Sequence, residues 1–325
     1  MFSKTRVAVL RGGPSSEYDI SLKTGAAVLA NLPEDCHPLD VFIDRAGRWH
    51  MHGRREDPHR ILGKVDVVLN ALHGEYGEDG QVQHLLETYR VPFSGSRRLA
   101  SALAMNKTLT RRLLAKEGVK TPYFRLIRSG EAAHLDELAT NLYRAFPQPC
   151  VIKPAAKGSS VGVSLARSPA EISYALSLAF RDSDAALVEE YLDGVESVCG
   201  IIEDFRGERL YRLLPIEVVP SEGAPFYDYE ERSGGRARFT APATISSESR
   251  EELSAIAERI HRVLGLRHYS SSDFIVHPKR GIYFLEIDSL PSLAPGAPFP
   301  AALHSVGVSL PQFLDHLLVL TRERK

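Results

Sequence analysis

Cysteine is scarce in this 325-residue chain: only Cys36, Cys150 and Cys199 occur, at no metal-ligand spacing. That excludes a cysteine metal site, and with no apolar h-region in the opening MFSKTRVAVLRGG it points to a reducing cytoplasm. Long hydrophobic runs are missing too. None approaches the roughly 20 residues that cross a bilayer, so membrane insertion is not expected. Charge of one sign is not in excess, since 40 Lys and Arg stand against 41 Asp and Glu, a formal net charge of −1. A molecule-wide nucleic-acid or anionic-membrane binder is therefore excluded, and any anion site must be local. Self-similarity at a fixed period is absent, which removes solenoids. What remains, with 43% hydrophobic and 25% charged residues, is an ordinary globular composition. The length exceeds the roughly 250–300 residues at which one core stops growing, so two or three domains around clefts are expected.

Along the first hundred residues short β-branched runs alternate with helical patterns. Strands are expected at Arg6–Leu10, Leu39–Ile43 and Val65–Leu69, and helices near Ser21–Leu32 and Gln81–Tyr89. The alternation reads as a small parallel α/β unit with ligand-facing loops at Gly12-Gly13 and His73-Gly74. The charged, aperiodic stretch HGRREDPHR at 52–60 reads as a solvated loop. A domain change is placed near residue 95. One helical stretch then runs to Gly118, followed by strands at Tyr123–Ile127 and Cys150–Pro154 around a helix near Ala132–Ala145. Further strands are expected at Ala186–Leu192, Glu196–Glu203 and Leu210–Val219. An amphipathic helix at Glu248–Leu264, a strand pair at Ser272–His277 and Ile282–Ile287, and a closing helix at Leu310–Leu320 complete an α+β tail.

Chemistry gathers in three places. The segment Pro154 to Val163, PAAKGSSVGV, follows a strand, and its small residues can bring backbone N–H groups up to an anion. It is not a P-loop, and a tight hairpin turn is the competing reading. Lys153, in the apolar strand CVIKPA, would carry a desolvation penalty unless its ammonium meets an anion, and Lys107 offers a second cation. Downstream, Asp273 lies in a strand pattern, and Glu286 and Asp288 share a face of FLEID, because residues two apart on a strand point the same way. Hard carboxylate oxygens of this kind suit Mg²⁺ bridging to phosphates, and Mg²⁺ with two lysines implies ATP; solvated strand-end acids are the alternative. Between them LVEEYLDGVES reads as an edge strand whose backbone would meet an adenine, with Glu189 and Glu196 beside it, or as a plain solvated face.

These motifs together resemble the D-alanine–D-alanine ligase family of the ATP-grasp superfamily. The resemblance is carried, in the family's order, by four blocks: RGGPSSEYDISLKTG; NALHGEYGEDGQVQHLLE with GSRRLASALAMNK; VIKPAAKGSSVGVS with LVEEYLDGVE; and SSDFIV with FLEIDSLP. It implies an ATP-grasp fold, α/β and α+β, with an N-terminal parallel α/β domain (1–95), a small central α+β domain (96–188) and a C-terminal α+β domain (189–325). It implies phosphate lysines at Lys107 and Lys153, with a loop over the phosphates that includes Lys157, Gly158 and Ser160. Adenine and ribose contacts fall at Glu189, Tyr191, Leu192 and Glu196, and the metal positions at Asp273, Glu286 and Asp288, for Mg²⁺ or alternatively Mn²⁺. Glu17 and His73 match the first amino-acid subsite, and Ser159 a serine in that glutamate's hydrogen-bond network.

The acceptor half departs from the family. Ser271 stands where the family has an arginine that holds the substrate carboxylate and the charge of the intermediate, and losing one such donor commonly costs about 10²–10³ in rate. Arg232 and Ser233 replace a lysine and a tyrosine in a lid. Ser292 replaces a glycine whose backbone N–H meets the intermediate, and Ala297 replaces a serine. The implied activity is ATP-dependent joining of two D-alanines through an acyl phosphate, for peptidoglycan precursors. The alternatives are a related ligase with another acceptor, namely a hydroxy acid, another amino acid or an amine, or a nucleotide-binding protein with little turnover. Partners on this reading are small amino-acid substrates and, because family members commonly pair through the N-terminal domain, a second copy of the chain.

Overall fold

A computed structural model describes residues 4–131, 134–155, 162–222, 231 and 237–323. The N-terminal sheet is built on β1 (Thr5–Gly12), whose Val7, Ala8, Val9 and Leu10 are fully buried. Burial on both faces is what a continuous apolar run in a central parallel strand requires. After α1 (Tyr18–Ala30) come β2 (Cys36–Ile43), β3 (Trp49–Met51), β4 (Arg54–Arg55), α2 (Pro58–Leu62), β5 (Val67–Asn70) and α3 (Gln81–Thr88). The strand order is β4-β3-β2-β1-β5, with β1 parallel to β2 and β5, while β2-β3 and β3-β4 pair antiparallel. The sheet is thus mixed, not wholly parallel. The stretch 52–60 is also more than a loop. Its arginines form β4, Asp57 caps α2 by accepting from the His59 N–H at 2.8 Å, and the helix buries Ile61 and Leu62. The apolar residues that anchor it lie at its end, outside the charged run, so no periodicity could show it.

Two helices follow, α4 (Arg98–Met105) and α5 (Lys107–Lys116), where one was expected. The apolar pattern runs through both, but Asn106 leaves helical geometry (φ −89°, ψ 89°) and its Oδ1 accepts from the Leu109 N–H at 3.0 Å. A side-chain cap of this kind starts a new helix. Ala100, Ala104 and Leu114 of these helices share a core with Cys199, Ile201, Phe274 and Phe284. The central sheet consists of β6 (Phe124–Arg128), β7 (Cys150–Pro154), β8 (Ser164–Ala166) and β9 (Ala185–Glu190), with α6 (Leu135–Ala145) and α7 (Pro169–Asp182) against it. Its order, β6-β9-β7-β8, puts β9 inside the sheet, so the expected edge strand at LVEEY is an interior one.

The third sheet takes β10 (Val195–Phe205), β11 (Glu208–Arg212), β12 (Ile216–Val219) and β13 (Arg238–Thr240), then, after α8 (Ser247–Val263), β14 (Tyr269–His277) and β15 (Gly281–Asp288). The expected single strand at Leu210–Val219 is two strands that both pair with β10, separated by Leu213-Leu214-Pro215. Proline supplies no N–H for a ladder, so the run must break there. Helices α9 (Pro298–Ser305) and α10 (Leu310–Glu323) close the chain. Phe313, Leu314 and Leu317 of α10 join Val7, Val9 and Leu69 of the first sheet, Tyr269 of the third and Phe299 of α9 in one cluster. This shared core brings the loops of the N-terminal sheet over the face of β14 and β15 that carries the acids.

Candidate active site

In the β14-β15 ladder Ser271 pairs with Asp288 and Asp273 with Glu286. Alternation along a strand therefore puts Ser271, Asp273, Glu286 and Asp288 on one face, as the sequence pattern implied. Lys107, the first residue of α5, reaches this face, and its Nζ donates to Glu286 Oε2 at 2.5 Å. Residues Lys107, Glu286 and Asp288 line one cleft with Glu17 and Glu78 of the N-terminal unit. Hard carboxylate oxygens on directly opposed strand positions are the donor set that Mg²⁺ favours. Among the described residues, no three acidic, histidine or cysteine side chains are already gathered closely enough to hold one ion.

Glu17 sits at the start of α1, buried, its N–H donating to Ser15 Oγ at 2.8 Å. The loop below it favours glycine at 74. Gly74 has φ +68°, and a Cβ there would come 2.9 Å from Ser15 Oγ and 3.0 Å from Glu17 Oε1. The Gly74 N–H donates to Glu78 Oε2 at 2.8 Å, and the Leu290 N–H to Glu78 Oε1 at 3.2 Å. Burial, then the charges of Glu17 and Asp288, push the Glu78 carboxyl well above the usual carboxylate range. Burial likewise pushes His73 down to about 4, against a hydrogen bond with the Leu290 backbone, so its ring is neutral at physiological pH. His73 Nε2 lies 2.8 Å from Thr24 Oγ1, which lies 3.0 Å from Ser292 Oγ. A hydrogen-bonded chain thus links the first sheet's loop to the loop after β15.

In the central sheet Lys153 of β7 is buried, its Nζ 2.9 Å from Glu189 Oε1. The Arg111 Nη1 approaches the same oxygen at 2.8 Å, and its Nη2 donates to the Leu285 carbonyl at 3.1 Å. Burial pushes the Lys153 ammonium down to about 8, partly offset by Glu189 and reinforced by Arg111 and Lys107. For Glu189 burial acts upward, but Arg111 and Lys153 outweigh it and hold the carboxyl below its ordinary value. The Glu189 side chain is therefore engaged with two cations beneath the cleft. Of the other positions expected to meet a nucleotide, Leu192 is buried, the Tyr191 N–H donates to the Pro149 carbonyl at 3.2 Å, and Glu196 is half-buried opposite Ile275. Ser271 is buried beside Gly200, and Ala297 stands immediately before α9. Lys157, Gly158, Ser159, Ser160, Arg232 and Ser233 lie outside the described residues.

Three residues of this site carried no role in the sequence reading. Arg111 stands four positions after Lys107, and that spacing on one helix face was its only signal. Glu78 lies in a quoted block, GEDG, but its burial depends on loops more than 200 positions apart. Thr24 sits inside α1, where a threonine has no distinguishing pattern.

Residues 113–319 match the family model described as D-ala D-ala ligase C-terminus, and residues 51–96 the one described as D-ala D-ala ligase N-terminus. The D-alanine–D-alanine ligase of Geobacter sulfurreducens is 37% identical over 97% of this chain and 93% of its own length. That of Pelotomaculum thermopropionicum is 33% identical over 98% and 97%. Among solved structures, D-alanyl-alanine synthetase A of Vibrio cholerae matches with a TM-score of 0.84 at 25% identity, covering the whole of both chains. The VanG D-Ala:D-Ser ligase of Enterococcus faecalis matches with a TM-score of 0.81 at 26% identity over 98% of this chain and 99% of its own. With a family model over more than half its length and relatives above 30% identity over nearly all of it, the chain belongs to the D-alanine–D-alanine ligase family of the ATP-grasp superfamily.

Proposed function

We propose that this protein is an ATP-dependent ligase that joins two D-alanines through an acyl phosphate. The observation that carries the reading is that one cleft brings Glu17, at the start of α1, together with Lys107, Glu286 and Asp288. On this reading Lys107 and Lys153 bind the nucleotide phosphates, with Lys107 exchanging its partner Glu286 for phosphate oxygen. Asp273, Glu286 and Asp288 would hold Mg²⁺, which when bound offsets charge on the transferring phosphoryl group. Glu17 orients the ammonium of the first D-alanine, and neutral His73, fixed by Thr24, shapes that subsite without adding charge. The first carboxylate oxygen attacks the γ-phosphorus, and the bond from that phosphorus to the bridging oxygen breaks to release ADP. The amine nitrogen of the second D-alanine then attacks the acyl carbon, the acyl–phosphate C–O bond breaks to release phosphate, and the nitrogen loses a proton.

The test is incubation with Mg·ATP and D-alanine, following phosphate release and product mass. Release that depends on D-alanine, with the mass of D-alanyl-D-alanine, is expected; no amino-acid-dependent release would overturn the reading. A second reading keeps the donor chemistry and changes the acceptor. It is favoured by Ser271 lying opposite Asp288 where the family's arginine would stand, and by the likeness to a ligase that takes D-serine. Offering D-serine, D-lactate and a panel of L-amino acids in the same assay separates the two.

A further inference from the structure

Arg111 is the largest fully buried side chain among the described residues, 1% exposed. It does not line the cleft, yet it touches three elements that do or that support it: Glu189 on β9, the Leu285 carbonyl on β15, and the ring of Phe124 on β6, 5.2 Å from the guanidinium. Burying a permanent charge is costly unless the site uses it. Glu189 does not need Arg111 for neutrality, because Lys153 alone would balance it. With both cations on one carboxylate oxygen the buried cluster carries a surplus positive charge, and of the two cations Lys153 is the less buried, at 8% against 1%.

We infer that Arg111 is a positioning residue for nucleotide binding: it takes up the charge of Glu189, so that the Lys153 ammonium is left to an incoming phosphate. Through Leu285 the same guanidinium fixes the strand that carries Glu286. The inference rests on the reading that Lys153 meets nucleotide phosphate. The charged groups facing Lys153 are Arg111 and Lys107 from α5, Glu189 from β9 and Glu286 from β15. Removing Arg111 deletes a neighbouring cation, so Lys153 should keep its proton to higher pH even as Glu189 draws it away from the cleft.

The experiment measures Mg·ADP binding by calorimetry, with KM for ATP and for D-alanine, on the full chain. Arg111→Met should weaken Mg·ADP binding and raise the ATP KM about tenfold or more, the scale of one lost charge-assisted contact, leaving the D-alanine KM near the parent value. Its basic limb in ATP KM should move to higher pH. Adding Glu189→Gln to Arg111→Met should bring affinity back to within about threefold of the parent, because the competing carboxylate is gone. A merely structural arginine would make the double variant no better than the single, and that outcome, or an Arg111→Met within about twofold of the parent, overturns the inference. Should Arg111→Met not fold, Arg111→Lys carries the test. It keeps the charge and should bind Mg·ADP within about threefold of the parent, whereas a tenfold loss overturns the charge argument. Lys153→Met is the control for the reading beneath. If it leaves Mg·ADP binding unchanged, Lys153 does not meet the nucleotide; if it weakens binding while Arg111→Met does not, only the role of Arg111 fails.

Discussion

Lys153 is a conditional charge. Burial pushes it down to about 8, so its ammonium is largely present at about pH 7 and mostly lost by about pH 9. A phosphate contact made by the protonated form is present below that value and lost as pH rises through it. The ATP KM should therefore climb up to about tenfold between those limits in initial-rate measurements, and Lys153→Arg, whose guanidinium stays charged, should flatten the climb. The opposite case is His73. Pushed down to about 4, it stays neutral through the working range, and its contribution is geometric, through Thr24 to Ser292. Thr24→Val removes both contacts at nearly constant volume and should raise the D-alanine KM about tenfold, leaving the ATP KM unchanged, from the roughly 1–3 kcal/mol of an unmet buried hydrogen bond. Side-chain type and spacing made Lys107, Lys153 and the three acids legible from the sequence. Arg111 and Glu78 were not, because a charge inside a helix or loop looks solvated until the tertiary fold buries it.

Elements were legible where period and burial agree. The continuous apolar run of Val7 to Leu10, the amphipathic α8 and the β14-β15 pair follow directly from the pattern of apolar residues. The failures share a cause: an apolar pattern that runs on through a break. Ala104 and Leu114 face one core from two helices, so periodicity joined them, although Asn106 is a residue type that caps. Leu210 to Val219 reads as one strand until the missing N–H of Pro215 is weighed. The helix break has a functional consequence, because α5 opens on Lys107. Asn106→Ala should cost about 1 kcal/mol of cap energy and let the first turn fray, while Asn106→Asp keeps the acceptor. Thermal melting should show a lower midpoint for the alanine variant, and because fraying frees Lys107 its Mg·ADP affinity should fall severalfold as well. Normal binding with a lowered midpoint would mean that Glu286 alone holds the lysine in place.

At the scale of the whole molecule the candidate site draws on different sheets. Lys153 and Glu189 come from the central sheet, Glu286 and Asp288 from the third, and at the surface the pair Glu190–Arg280 joins the two. Arg280 donates to both Glu190 oxygens at 2.8 and 3.0 Å, and the Tyr123 N–H donates to Oε1 at 2.9 Å. Burial acts upward on the Glu190 carboxyl, but the Arg280 and Tyr123 hydrogen bonds outweigh it and hold it below its ordinary value. The pair is complete above the ordinary glutamate range and is lost only as pH falls through the lowered value, so it is intact across neutral pH. Arg280 is 44% exposed, so the pair contributes little to global stability and is open to screening by salt. Its effect should appear as motion of one sheet against the other. Arg280→Ala should leave the melting temperature close to the parent value, speed amide exchange along β9, and raise the ATP KM about threefold, as should salt at about 1 M on the parent, where the screening length shrinks to about 3 Å. Unchanged exchange in β9 would mean that the buried Arg111–Leu285 contact, not the surface pair, sets the distance between the two sheets.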